Sequence, residues 1–155
     1  MGQQQLLLLV LATVIVGLAT VAGIQAFDQN QTQANGDALS TTALEIASEV
    51  QAWSQKPSQL GGGGTDWSGS DLTAPTLSEL VYGSDPYETS NGNKFTITSD
   101  CSGSSATVGN SPKMAVHGVN AEYGNDVCVV IEGPGSEDIE TGLSLANESV
   151  SITTE

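Results

Sequence analysis

Arginine is absent from this 155-residue sequence, and three lysines and one histidine stand against eighteen acids, a formal net charge of −15. Neutralising phosphates takes clustered Lys and Arg, so no nucleic-acid binding by the subunit surface is expected, nor docking on an anionic membrane surface. Cysteine is nearly absent too. Cys101 and Cys128 with the single His117 make a poor metal site, because zinc wants four ligands at tighter spacing. In an extracellular domain the two cysteines read instead as a disulfide. On the chain-entropy view, closing that loop stabilises the fold by roughly 3–4 kcal/mol.

Catalytic chemistry is thin for the same reasons. Paired cysteines leave no thiolate nucleophile. His117, the only histidine, sits in Val116-His117-Gly118-Val119, read as a strand end where a structural or surface role fits. The Gly61–Gly64 run lacks the Lys-Ser/Thr that follows a phosphate-binding loop and reads as a linker. Asp66, Asp71, Asp85, Glu88, Asp100 and Asp126 lack the ligand spacing of a calcium loop and read as solvated surface. The expectation is a structural protein, with no enzyme activity, metal or cofactor. The acids spread from Asp28 to Glu155, thickening at Glu137, Asp138 and Glu140. Spread acidity with scarce lysine is the surface of a protein that stays hydrated in concentrated salt, where self-repulsion is screened, and it points to a halophilic source.

Charge is missing altogether from Met1 to Phe27. Within that stretch Leu6–Ile24 runs nineteen residues, interrupted only by Thr13, Gly17, Thr20 and Gly23. At about 1.5 Å per residue it matches a hydrocarbon core of about 30 Å. A secretory signal needs a basic flank and an Ala-x-Ala-like cleavage site; nothing basic precedes this stretch, and Ile24-Gln25-Ala26 is a weak match. The first basic residue is Lys56, although Lys and Arg beside a span normally orient it. A charged leader already removed, with the mature chain starting at or near Met1, accounts for that.

After Phe27 the composition turns polar and stays compatible with helix. Leu39, Ala43, Ile46, Ala47, Val50 and Trp53 recur at three- and four-residue spacing as one apolar face, until Pro57 stops the pattern. One helix is therefore expected over about residues 2–55, with a weak place at Asn35-Gly36-Asp37. The organisation reads as an apolar helix over 1–27, its amphipathic continuation over 28–56, a Gly/Ser-rich loop with a short helix over 57–93, and a β-rich head over 94–155. The short helix is Pro75–Leu80, with a Thr76/Glu79 capping box. Strands are expected at Lys94–Ser99, Lys113–Val116, Val127–Ile131 and Ser149–Thr153, with turns at Asn91-Gly92 and Gly133-Pro134-Gly135. The fold class is α+β: a long N-terminal helix packed on a small antiparallel sheet. Asn30-Gln31-Thr32 and Asn147-Glu148-Ser149 match the N-glycosylation pattern, and Ser102–Thr107 would suit O-linked sugars.

The opening Met1-Gly2-Gln3-Gln4-Gln5-Leu6 through Phe27, the amphipathic continuation to about residue 55 and the small disulfide-bearing head together resemble a type IV pilin. Likeness in sequence covers only the first thirty residues; likeness in length and architecture covers the chain. In that family a prepilin peptidase cuts after a Gly and leaves a hydrophobic first residue, which Met1 fits; a cut after Gly2, leaving Gln3 first, is the alternative register. Bacterial pilins usually carry Glu at the fifth mature position, where it pairs with a neighbour's N-terminal amine. This chain has Gln5, which accepts a hydrogen bond but brings no charge.

The resemblance implies a homopolymeric surface filament serving adhesion, motility or DNA uptake. It is fed from a pool in the inner membrane by an assembly machinery. Its assembly residues would be Met1, Gln5, Leu6, Leu7, Leu8, Leu9, Val10, Leu11, Val14, Ile15, Leu18, Val21 and Ile24. Gly17 and Gly23 would be points where the helix locally melts, or small residues for close packing. The alternatives are a single-pass anchored surface domain and a minor pseudopilin of a secretion system.

Overall fold

The computed structural model describes residues 2–64, 67, 74–99, 101, 107–108, 114–145 and 151–152. It divides into two compact units, Met1–Ala34 and Asn35–Glu155. Helix α1 occupies Gly2–Gln55, 54 residues, matching the expected span.

In the second unit, the helical residues Leu39, Ala43, Ile46, Ala47 and Val50 are fully buried, so the three- and four-residue spacing became one packed face. Gly36, the expected weak place, lies within the helix and is itself buried. A Cβ there would collide with the Leu145 side chain, so close approach requires the glycine.

The helix stops where its apolar face runs out. Pro57 has no N–H to offer the Trp53 carbonyl, and that carbonyl accepts instead from Lys56 N (3.2 Å) and Gly63 N (3.0 Å). Gly64 N donates to the Lys56 carbonyl at 2.9 Å, after a 3₁₀ turn at Ser58–Leu60 and Gly61 at φ 75°. A Cβ on Gly62 would run into the Lys56 backbone. The glycine run, expected to be a flexible linker, is thus the cap of α1, because only glycine lets the backbone fold this closely over a helix end.

Five strands form an antiparallel sheet in the order β1-β2-β4-β5-β6: β1 (Tyr87–Glu88), β2 (Lys94–Thr98), β4 (Met114–Asn120), β5 (Asn125–Ile131) and β6 (Ile139–Ser144). A separate parallel pair joins β3 (Thr107–Val108) to β7 (Ser151–Ile152). Period-two alternation sends Phe95, Met114, Val116, Val127, Val129 and Ile131 into one core with the helix face and Leu77. The intervening residues Ala115, Cys128 and Val130 are equally buried on the other face, packed against Cys101. Strand β5 is buried at every position, which is why Val127–Ile131 reads as an unbroken apolar run.

Other details differ from the sequence reading as well. Pro75–Leu80 does not become a helix. The capping pair forms, with Thr76 N donating to Glu79 Oε2 at 2.8 Å, but residues 77–82 make only a turn, ended by Gly83 at φ 70°. Strands β4 and β5 extend further than expected, to meet at Asn120 and Asn125 around a turn with Gly124 at φ 67°. His117 is in the middle of β4, not at a strand end.

Candidate functional site

Among the described residues, the surface feature that stands out is the first unit's own apolar content. Thirteen large hydrophobic side chains between Leu6 and Phe27 are 51–68 % exposed. They surround the helix: the six consecutive residues Leu6–Leu11 point in every direction at 3.6 residues per turn and are all exposed. A helix apolar all round belongs in a low-dielectric environment. By length and composition α1 holds a segment able to cross a membrane.

Over Leu6–Ile24 the backbone and both threonine hydroxyls are satisfied from within. The backbone is helical throughout, Thr13 Oγ1 donates to the Val10 carbonyl at 2.8 Å and Thr20 Oγ1 to the Val16 carbonyl at 2.7 Å. The segment can therefore be covered by apolar matter without stranding a hydrogen-bonding group. Among the described residues, a Cβ added at Gly17 or Gly23 would meet nothing within 4 Å. Gln3, Gln4 and Gln5 are exposed on the helix, and Met1 lies outside the described residues. Of the expected assembly residues, the structure places Gln5 and every apolar residue from Leu6 to Ile24 on this unburied surface.

The second unit holds a polar cluster that sequence reading did not find. Asn35 on α1 donates through Nδ2 to Asn93 Oδ1 (3.0 Å), and Asn120 Nδ2 donates to the same oxygen (2.6 Å). Asn125 Nδ2 donates to Asn35 Oδ1 at 3.0 Å, and all four residues are buried. Further along α1, Gln51 Nε2 donates to the carbonyls of Gly133 (2.8 Å) and Gly135 (2.7 Å), and Gln55 Nε2 to that of Pro134 (2.9 Å). The helix is thus hydrogen-bonded to the sheet's turns in two places as well as packed on the sheet. Buried amides with partners lock the orientation, since any slip would strand them.

Cys101 and Cys128 are joined, with Cα atoms 6.1 Å apart across 27 positions, tying the stretch after β2 to strand β5, which lies between β4 and β6. Beside the bridge, His117 Nε2 and Asp126 Oδ1 lie 3.0 Å apart. Asn30 is exposed on α1, and Thr32 Oγ1 donates to the Asp28 carbonyl at 2.9 Å. Asn147, residues 102–106, Asp66, Asp71 and Asp100 lie outside the described residues.

Tyr82 carries the one marked electrostatic perturbation among the described residues. Burial, then the carboxylates of Glu49 and Glu45, push its phenol up to about 12.

A long N-terminal apolar helix followed by an antiparallel sheet fits a pilin-like order of elements. Compared with protein-family models, with curated proteins and with solved structures, the chain matches none.

Proposed function

We propose that this chain is the structural subunit of an extracellular type IV pilus-like filament. It would polymerise through Leu6–Phe27, serving adhesion, motility or DNA uptake. The observation that carries this reading is that one helix does two jobs. Its C-terminal half is core to a sheet-bearing head, while the apolar side chains of its N-terminal half are exposed among the described residues.

In a bilayer the apolar segment is covered by lipid. On leaving the membrane it must be covered by other copies. Taking half-exposed side chains to full burial contributes roughly 1–2 kcal/mol each, so thirteen of them supply a large driving force even if only some are covered. Because Thr13 and Thr20 are satisfied internally, such a bundle can be dry. A prepilin peptidase and a pilus assembly machinery would act on the precursor. The role is structural, with no enzyme activity proposed.

The self-satisfied segment equally suits permanent residence in lipid, and that observation favours a second reading, a single-pass anchored surface domain. Electron microscopy of material sheared from the cell surface, with N-terminal sequencing of its main band, separates the two. Long thin filaments built from this chain support the first reading. A protein that stays with the membranes and yields no filaments supports the second.

A further inference from the structure

Charge in this chain is segregated. Up to Ala34 the only ionisable side chain is Asp28, whereas Asn35–Glu155 holds the other 17 acids (18 − 1) and all three lysines, a formal net charge of −14 (3 − 17). Its cations offset little of this. Lys94 lies 3.8 Å from Glu88 with both side chains more than half exposed, a pair of small worth in water. Lys56 is exposed at the end of α1. Asp37, Glu45, Asp85, Glu122 and Glu137 are exposed acids.

The uncharged segment drives association by apolar burial, a force that added salt weakens little or strengthens. Each segment that joins a bundle brings its head with it through the Ala34–Asn35 peptide bond. Association therefore crowds together bodies of like charge, and the two effects oppose each other with different salt dependences. The Debye length is about 30 Å at 0.01 M salt, about 10 Å at 0.1 M and about 3 Å at 1 M. A domain the size of the head has a radius of gyration of about 14 Å. At low salt, then, adjacent heads repel across their whole width; at molar salt they repel only where their surfaces touch.

We infer that ionic strength gates assembly: dissolved salt acts as the permissive ligand, holding the filament together by screening head against head. This rests on the filament reading and adds its regulation. Screening is non-specific, so any salt of equal ionic strength serves, and lowering the head's charge lowers the salt required.

The test uses filaments sheared from cells and dialysed into sodium chloride from about 2 M down to about 0.02 M, with pelletable protein measured at each step. Most of the pelletable mass, roughly nine-tenths, is lost below about 0.1 M, and choline chloride reproduces the midpoint at equal ionic strength. The variant Asp37→Asn/Glu45→Gln/Glu122→Gln/Glu137→Gln, altered only at exposed positions, comes apart at a salt concentration several-fold lower. Near-ultraviolet circular dichroism follows the head through the same series and stays unchanged at the dissociation midpoint. Constant pelletable mass, an unmoved midpoint in the variant, or a head that unfolds at that midpoint would each overturn the inference while leaving filaments in hand. Filaments missing at every salt concentration would instead remove the filament reading, and this inference with it.

Discussion

Gly118→Ala is the sharpest test of how the head is packed. Gly118 is buried in β4, paired with Phe95 of β2 on one side and Val127 of β5 on the other. A Cβ placed there lies 2.7 Å from Phe95 Cε1, 2.8 Å from Phe95 Cδ1 and 2.8 Å from Val127 Cγ1. Ordinary contact begins at 3.4 Å, so two neighbours must each retreat by about 0.6 Å. Neither has room. Both are fully buried, and the Phe95 ring is stacked on Tyr87 with centroids 6.2 Å apart. Overpacking of this kind costs about 1–3 kcal/mol. At about 4 °C per kcal/mol for a domain of this size, the full-length chain in detergent should melt roughly 4–12 °C lower by near-ultraviolet circular dichroism. Phe95→Leu alone loses buried area, about 1–2 kcal/mol, but it vacates the space the new methyl needs. The double variant Gly118→Ala/Phe95→Leu should therefore be more stable than the two costs summed, by about 1 kcal/mol. A Gly118→Ala variant melting with the parent, or strictly additive costs, would refute the packing described.

Removing the bridge with Cys101→Ala/Cys128→Ala should cost about 3–4 kcal/mol, read as a lower urea midpoint, and reductant should give the parent chain the same loss. Gln51→Leu strands the carbonyls of Gly133 and Gly135 and should cost about 1–3 kcal/mol in the same assay. Tyr82 binds its proton more tightly folded than unfolded, because its ordinary value of 10 is raised to about 12. Its contribution to stability is complete below pH 10 and is lost as the pH rises through 12, so the melting temperature should fall across that window. Glu49→Gln should bring one of the three tyrosines to titrate earlier in phenolate absorbance, and an unchanged titration would contradict the assigned cause.

What was legible in the sequence was what repeats locally. Leu39, Ala43, Ile46, Ala47 and Val50 announce a helix face by spacing alone, and Lys94–Thr98 alternates as a strand should. The unburied segment needed only composition, because a run such as Leu6–Leu11 has no polar face to read. Strand β6 was missed: Ile139-Glu140-Thr141-Gly142-Leu143-Ser144 has a glycine and an acid where alternation should be clear, and its pairing to β5 supplies what propensity lacks. The two-residue strands β1, β3 and β7 carry too few positions for any period.

The asparagine cluster joins residues 58 and 90 positions apart, and nothing local marks either end. His117 meets Asp126 only because the β4–β5 turn folds one strand onto the other. Gly36 looked like a weak point by propensity, and Gly61–Gly64 like a linker. Contacts decide their role instead: one admits Leu145, and the others cap α1. The Thr76/Glu79 pair shows the reverse case, a true local signal with too short a segment behind it to make a helix.

In the proposed filament, Leu6–Phe27 is buried against other copies of the chain. Both native cysteines are bridged, so Leu11→Cys, at a position 52 % exposed in the single chain, introduces one free thiol. In filaments sheared from cells that thiol should resist a water-soluble maleimide, react once detergent separates the subunits, and cross-link between copies on oxidation. A thiol that reacts at once in intact surface material, or that is found only in lipid and never cross-links, would contradict the account.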